Sequence, residues 1–131
     1  SQLHRAIYSG RGEYRPVSGT ALVVSRHREL AESYFTDQIN LATRDTFEIH
    51  QRVSVAQLAA YYETQRVHYL AIADAATLRD DRRRTVGVRF ATAVRQRVLI
   101  SLRIERTHNR SSTPLFDFTT HVVALEVACR F

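Results

Sequence analysis

The sequence predicts a single α+β domain in which a long helix packs against an antiparallel sheet. Two patterns support this fold class: an alanine-rich segment with helical spacing in the middle of the chain, and alternation of apolar and polar residues in the C-terminal third. Apolar residues make up 44% and charged residues 24% of the 131 residues. This balance is that of a globular domain, and the length suffices for one core without disulfides.

The N-terminal part of the chain holds the weakest signals. Its first 19 residues are predicted to be an irregular lead-in to one domain over residues 20–131, because they contain three of the four glycines and one of the two prolines. An apolar run at 20–25 and an alternating run at 46–50 each predict a strand. Between them, residues 27–43 fit helical and strand spacing equally, and both alternatives remain open.

The strongest predicted element is a helix over residues 54–78. Ser54-Val55-Ala56-Gln57 matches the capping box. In this motif the Ser side chain accepts a hydrogen bond from a backbone N–H, and the Gln side chain three residues later reaches back to the first residue of the motif. Apolar residues follow at helical spacing, and neither glycine nor proline interrupts them before Gly87. The stripe that they form is typical of a helix that packs on a sheet. The charged run at 79–84 then predicts a solvated turn.

Alternation with a period of two predicts three strands within residues 85–90, 98–105 and 119–129. Short connections between them favour an antiparallel meander. Cys129 ends the last strand and is interpreted as a small buried residue rather than a reactive thiol. As the single cysteine of the chain, it excludes an internal disulfide and fits a reducing compartment.

The basic charge of the chain favours anionic partners. All 19 basic residues are arginine, and the formal net charge is +6. Arginine pairs bidentately with phosphates and carboxylates, so RNA, an acidic protein and the phosphates of coenzyme A are candidate partners. A GC-rich genome explains the same arginine excess without any ligand, and the sequence leaves this alternative open.

The sequence predicts neither a membrane span nor a secretory signal. Its uninterrupted apolar runs are only a few residues long, far below the roughly 20 residues that a membrane helix needs. No apolar segment of the kind found in signal peptides follows the polar start. The expected location is the cytoplasm, or the mitochondrial matrix if a targeting segment was removed.

Most sequence signatures of cofactor and catalytic sites are absent. Four scattered glycines leave no phosphate-binding loop and no dinucleotide fingerprint. The six histidines lack the spacing of a zinc site. A nucleophile elbow and RNA-binding strand motifs are also missing. We therefore expect neither a cofactor nor a metal.

The order of elements resembles the hotdog fold, in which a curved antiparallel sheet wraps around a long central helix. Tyr61-Tyr62-Glu63-Thr64-Gln65-Arg66 is similar to the helix of single-domain acyl-CoA thioesterases of the hydroxybenzoyl-CoA type, where an aromatic pair precedes Glu and then Arg. Val86-Gly87-Val88-Arg89-Phe90 resembles the strand after that helix. The likeness covers about residues 46–131.

The resemblance implies a hydrolase or dehydratase that acts on an acyl thioester of coenzyme A or of an acyl carrier protein, working as a homo-oligomer. By this resemblance Glu63 is the catalytic base or nucleophile, and His50 is a polar group beside it. The substrate-binding residues that it implies are Gln57, Tyr62, Arg66 and Arg89.

A noncatalytic function and a second fold compete with this interpretation. A basic binding subunit of a larger assembly, ribosomal, mitochondrial or other, fits the same pattern, with its arginines facing RNA or protein. A cone-shaped fold of the nuclear-transport-factor type also combines helices with a curved antiparallel sheet. A helix at residues 27–43 favours that cone, whereas strands there favour the hotdog fold. The sequence excludes none of these.

Overall fold

The computed structural model describes residues 7–32, 38–71 and 76–130. These residues form one antiparallel sheet of seven strands, in which every strand pairs with the next one along the chain. The strands are β1 (Tyr8–Tyr14), β2 (Thr20–Glu32), β3 (Gln38–Val53), β4 (Ala56–Ala71), β5 (Thr77–Val94), β6 (Val98–Ser111) and β7 (Phe118–Cys129). A single 3-10 turn, Pro114–Phe116, lies between β6 and β7. Among these residues, no helix has the length and apolar content needed to cross a membrane.

The predicted α+β, hotdog-like fold is wrong, because the segment predicted as its long central helix is a strand. Residues 54–78, of which 72–75 lie outside the described ranges, contain a tight turn, all of β4 and the start of β5. Ser54 lies in that turn with φ +55°, so it caps no helix. β4 is paired with β3 on one side and β5 on the other. These ladders satisfy the backbone groups that a helix would pair internally.

The alanine-rich composition of β4 explains the wrong prediction. Alanine has a high intrinsic helix propensity, but propensity is a weak prior that tertiary context overrides. Apolar or aromatic side chains also occupy both faces of β4, with Leu58 and Tyr62 on one face and Ala59 and Tyr61 on the other. Together they mimic helical spacing and hide the alternation of a strand.

The shorter predicted strands are confirmed. They lie at residues 20–25, 46–50, 85–90, 98–105 and 119–129, within β2, β3, β5, β6 and β7 respectively. The region at 27–43, which the sequence left open, is strand wherever the structure describes it, and residues 33–37 lie outside the described ranges.

Two further predictions about irregular segments are wrong. The lead-in is not irregular throughout, because residues 8–14 form β1 and pair with β2. The charged run at 79–84 lies inside β5 rather than in a turn. A strand accommodates this run because alternation sends Arg82 and Arg84 to one face and Asp81 and Arg83 to the other.

Paired residues on neighbouring strands share a face of the sheet, and successive residues alternate between faces. We call the two faces the Leu58 face and the Tyr61 face, after two residues of β4. On the Leu58 face, the register aligns apolar residues in rows across the strands. One such row runs through Leu22, Ile49, Ala60, Val88, Ile104 and Val123.

These rows form an apolar band on the half of the Leu58 face nearest the tight turns at 54–55 and 95–97. Its large exposed members are Val24, Phe47, Ile49, Leu58, Tyr62, Val86, Val88, Phe90, Val94, Ile104, Val123, Leu125 and Val127. On β5 the band extends from Val86 to Val94, about 27 Å at roughly 3.3 Å per residue. Val123 and Leu125 are 72% and 68% exposed, so no described element covers the band there.

The buried side chains lie mostly on the opposite face. Those on the Tyr61 face are Ala21, Val23, Ala42, Ala59, Asp81, Thr85 and Asn109. Leu41 and Leu70 are buried on the Leu58 face, at the end of the strands far from the band. The most extensive apolar surface of the described residues is therefore exposed rather than buried. A function for this protein has to account for that exposure.

Candidate functional site

The centre of the Tyr61 face is held together by one tyrosine that reaches across three strands. The Tyr61 hydroxyl donates a hydrogen bond of 2.6 Å to Oε2 of Glu105. Its ring lies over Gly87, where a Cβ atom would collide with the ring. Gly87 is the pairing partner of both Tyr61 on β4 and Glu105 on β6. The glycine therefore provides the gap through which the tyrosine crosses β5.

The environment of Tyr61 favours its neutral form. Burial, together with the hydrogen bond to Glu105, raises the pKa of Tyr61 from 10.0 to about 12. A neutral phenol donates to the carboxylate, whereas a phenolate would repel it.

A group whose pKa is raised by folding stabilises the folded state at pH values below its pKa in the unfolded state. This contribution is lost as the pH rises through its pKa in the folded state. We therefore expect the free energy of unfolding to fall between pH 10 and about pH 12, more steeply in the wild type than in Tyr61→Phe. Urea unfolding at several pH values measures this difference. Parallel pH dependences in the two proteins would contradict the role assigned to Tyr61.

The two residues predicted to be catalytic, Glu63 and His50, lie on the Tyr61 face in separate pairs. Oε1 of Glu63 lies 3.7 Å from Nε of Arg44, and Nε2 of His50 lies 2.9 Å from Oε2 of Glu48. His50 is opposite Ala59, four residues from Glu63 along β4, which corresponds to about 13 Å. The structure therefore does not bring the two together, and each already has a partner of its own.

The predicted substrate-binding residues are divided between the faces. Gln57 and Arg89 lie with His50 around a depression of about 890 Å³ near the tight turns, and both belong to the Tyr61 face. Tyr62 and Arg66 belong to the Leu58 face, around a second depression of about 490 Å³. One small substrate cannot contact both groups, because the sheet lies between them. The thioester reaction stays a prediction that no described feature tests.

The second depression is lined by arginines that no sequence motif marked as a group. We define the arginine cluster as Arg28, Arg66, Arg82 and Arg84, from β2, β4 and β5. Within the described residues, none of the four has a carboxylate in ion-pair range. Nε of Arg28 is buried without a hydrogen-bond partner among those residues. The cluster is thus a concentration of unneutralised positive charge.

The strand register places like charges opposite one another. Arg66 of β4 is directly opposite Arg82 of β5, and Arg82 is directly opposite Arg110 of β6. Like charges in this arrangement destabilise a strand pair. Arg26, beside the cluster, differs, because its guanidinium contacts the Asp45 carboxylate at 2.5 and 3.0 Å. This pairing holds the pKa of Asp45 below its usual range.

One signal in the sequence could have located both surfaces of the Leu58 face. Alternate residues of β5, from Arg82 and Arg84 to Val86, Val88 and Phe90, change from basic to apolar along a single face. Alternation shows which side chains share a face, but not whether another element covers them. The exposure of the band therefore emerges only from the structure.

The apolar band and the arginine cluster are the two surfaces on which a function can be argued. No family model, curated protein or solved structure matches the chain.

Proposed function

We propose that this sheet lies in a lipid bilayer, with the apolar band against the acyl chains and the Tyr61 face toward water. The observation that carries the proposal is the exposure of the band. Contiguous apolar patches larger than a few hundred Å² are uncommon on proteins surrounded by water, and they mark interaction sites. In a bilayer the same side chains are in a favourable environment.

The length of the band on β5 fits the thickness of the hydrocarbon layer. The band on β5 runs from Val86 to Val94, nine residues, and a tilted strand needs about 9–11 residues to cross that layer. β2 to β7 are 12 to 18 residues long, well above the usual length of about 5–6 residues. Each is long enough to hold an apolar zone within hydrocarbon and a polar zone beyond it.

The opposite face suits contact with water. Its central residues are charged or hydroxyl-bearing, and several are paired, as in the ion pair of Arg44 with Glu63 and the hydrogen bond of Tyr61 to Glu105. An exposed apolar surface on one face and a polar centre on the other are the pattern of a sheet that separates lipid from an aqueous space.

The proposal places strands in the bilayer and does not require an apolar helix. The prediction of no membrane span depended on the length of uninterrupted apolar runs, whereas the band is built from alternate residues. β1 and β7 are the edges of the described sheet. Unpaired backbone groups are costly in hydrocarbon, so the proposal requires further strands at both edges. The predicted homo-oligomer is one source of such strands and stays a prediction.

Fluorophores attached to single cysteines test the proposal. Cys129, the one cysteine, is exposed rather than buried as predicted, so the background is Cys129→Ser. Leu125→Cys places an environment-sensitive fluorophore in the band, and Ala124→Cys places it on the Tyr61 face of the same strand. In phosphatidylcholine vesicles we expect quenching by brominated acyl chains at position 125 and quenching by aqueous iodide at position 124.

Two outcomes would contradict the proposal. Equal quenching by iodide at both positions would place both faces in water. Blue-shifted emission at position 125 without quenching by brominated acyl chains would assign the band to contact with another protein surface, such as a second copy of the chain.

A further inference from the structure

Building on the proposed function, we propose that the arginine cluster binds the phosphate groups of lipid headgroups at the border of the apolar band. Lipid phosphates are the anions that a bilayer presents just outside its hydrocarbon layer. The inference rests on the position of the cluster, on its unneutralised charge and on the chemistry of the depression that it lines.

The cluster begins one row beyond the band on the same face. The last row that is apolar on β2 to β5 contains Val24, Phe47, Tyr62 and Val86, and on β6 and β7 it continues with Arg106 and His121. Arg84 lies two residues beyond this row along the strands. Arg28, Arg66 and Arg82 share a row that lies four residues beyond it. At roughly 3.3 Å per residue, the arginines lie about 7–13 Å beyond the band along the strands. The headgroup layer occupies about the first 5–8 Å outside the hydrocarbon on each side, and tilted strands and long arginine side chains reach it.

The charge of the cluster calls for an anion from outside the described chain. On the Tyr61 face, Arg44, Arg79 and Arg103 each have a carboxylate within 4.0 Å. On the Leu58 face, the Asp45 carboxylate is taken by Arg26, and Oδ1 of Asp80 lies 3.4 Å from Nδ1 of His68. The opposed Arg66 and Arg82 therefore lack a counter-charge within the described residues, and an anion between them would relieve their repulsion.

The lining of the depression supplies the donors that a phosphate accepts. Guanidinium groups donate paired hydrogen bonds to phosphate oxygens and remain charged at any physiological pH. Thr43 and Thr64 add hydroxyl donors around the same space of about 490 Å³. The buried Nε of Arg28 has no partner and is a further donor. A carboxylate lacks the third free oxygen of a phosphate monoester, through which phosphatidic acid engages several arginines at once.

The test compares the flotation of the chain with three kinds of vesicle: phosphatidylcholine alone, phosphatidylcholine with phosphatidic acid, and phosphatidylcholine with oleate at the same surface charge. We expect the wild type to bind vesicles with phosphatidic acid most tightly. Arg66→Gln/Arg82→Gln is expected to weaken that binding by about 10- to 30-fold, at about 1 kcal/mol per arginine near an anionic surface. Its binding to phosphatidylcholine alone is expected to weaken less, because the choline ammonium offsets the charge of each phosphate.

Arg83→Gln/Arg103→Gln is the matched control, because it removes the same charge from the Tyr61 face of β5 and β6. This control is expected to retain the preference for phosphatidic acid. Equal losses in both double variants, or equal binding to phosphatidic acid and oleate vesicles, would reduce the effect to net charge and overturn the inference. Thermal stabilisation by inorganic phosphate without vesicles, abolished by Arg66→Gln/Arg82→Gln, would instead assign the site to a free phosphate and overturn the lipid assignment. Failure of the wild type to float with any vesicle would count against the proposed function itself.

Discussion

Leu102→Arg is expected to prevent the chain from associating with phosphatidylcholine vesicles. Leu102 lies in the middle of the apolar band, directly opposite Phe90 on β5 and Leu125 on β7. A charged side chain on the lipid face costs about 2–4 kcal/mol at the bilayer midplane. The equilibrium constant for membrane binding, obtained from the bound fraction over a series of lipid concentrations, is therefore expected to fall by about 30-fold or more, since about 1.4 kcal/mol corresponds to a factor of ten. Flotation of the protein with vesicles on a density gradient measures this fraction.

Ser101→Arg is the matched control for this substitution. Ser101 is the neighbour of Leu102 on β6 and belongs to the Tyr61 face, opposite Ala91 and Glu126. The same charge added there meets water and an acidic side chain, so binding to vesicles is expected to remain. If both variants bind vesicles as the wild type does, the Leu58 face does not contact lipid. If both lose binding, the effect is one of net charge or folding rather than of the face.

Gly87→Ala is expected to destabilise the sheet by about 3 kcal/mol. The added methyl group would occupy the space of the Tyr61 ring, and overpacking of this kind costs about 1–3 kcal/mol. Displacing the ring also breaks the hydrogen bond from Tyr61 to Glu105, and bonds to charged groups contribute about 1.5–3 kcal/mol. Urea unfolding followed by circular dichroism measures the loss.

The chain provides two controls for this prediction. A methyl group added at Gly12 of β1 meets no atom within 4 Å, so Gly12→Ala is expected to leave the stability nearly unchanged. In a Tyr61→Ala background the ring is absent, and Gly87→Ala is expected to lose its effect. A full loss of stability in that background would show that Gly87 is required by the backbone and not by the tyrosine.

Some of the architecture could be predicted from local pattern. The strands of the C-terminal third alternate between apolar and polar residues along their length, and alternation depends only on the geometry of an extended chain. β4 could not be predicted in this way. Leu58 and Tyr61 lie on opposite faces of it, and its alanines suit a helix as well as a strand. Pairing with β3 and β5 decided that this segment is a strand and not a helix, and such pairing is a property of the whole sheet.

For the candidate sites, too, the sequence showed only part of what the structure shows. The sequence alone placed Glu63, His50 and Arg66 in one helix-based site through a resemblance, and no helix exists there to bring them together. It did establish an arginine-rich chain with one cysteine and a net charge of +6. Where that charge is concentrated depends on the strand register, which sets Arg66 opposite Arg82.

Composition, charge and the period of two along β5 to β7 were determined by the sequence itself, because each is a local property of consecutive residues. The tertiary structure decided that β4 is a strand, that Tyr61 crosses Gly87 to reach Glu105, and that the apolar band is exposed. These features depend on which residues meet across strands distant in sequence. Hydrophobic pattern shows that a face exists, whereas exposure depends on whether any other part of the molecule covers it.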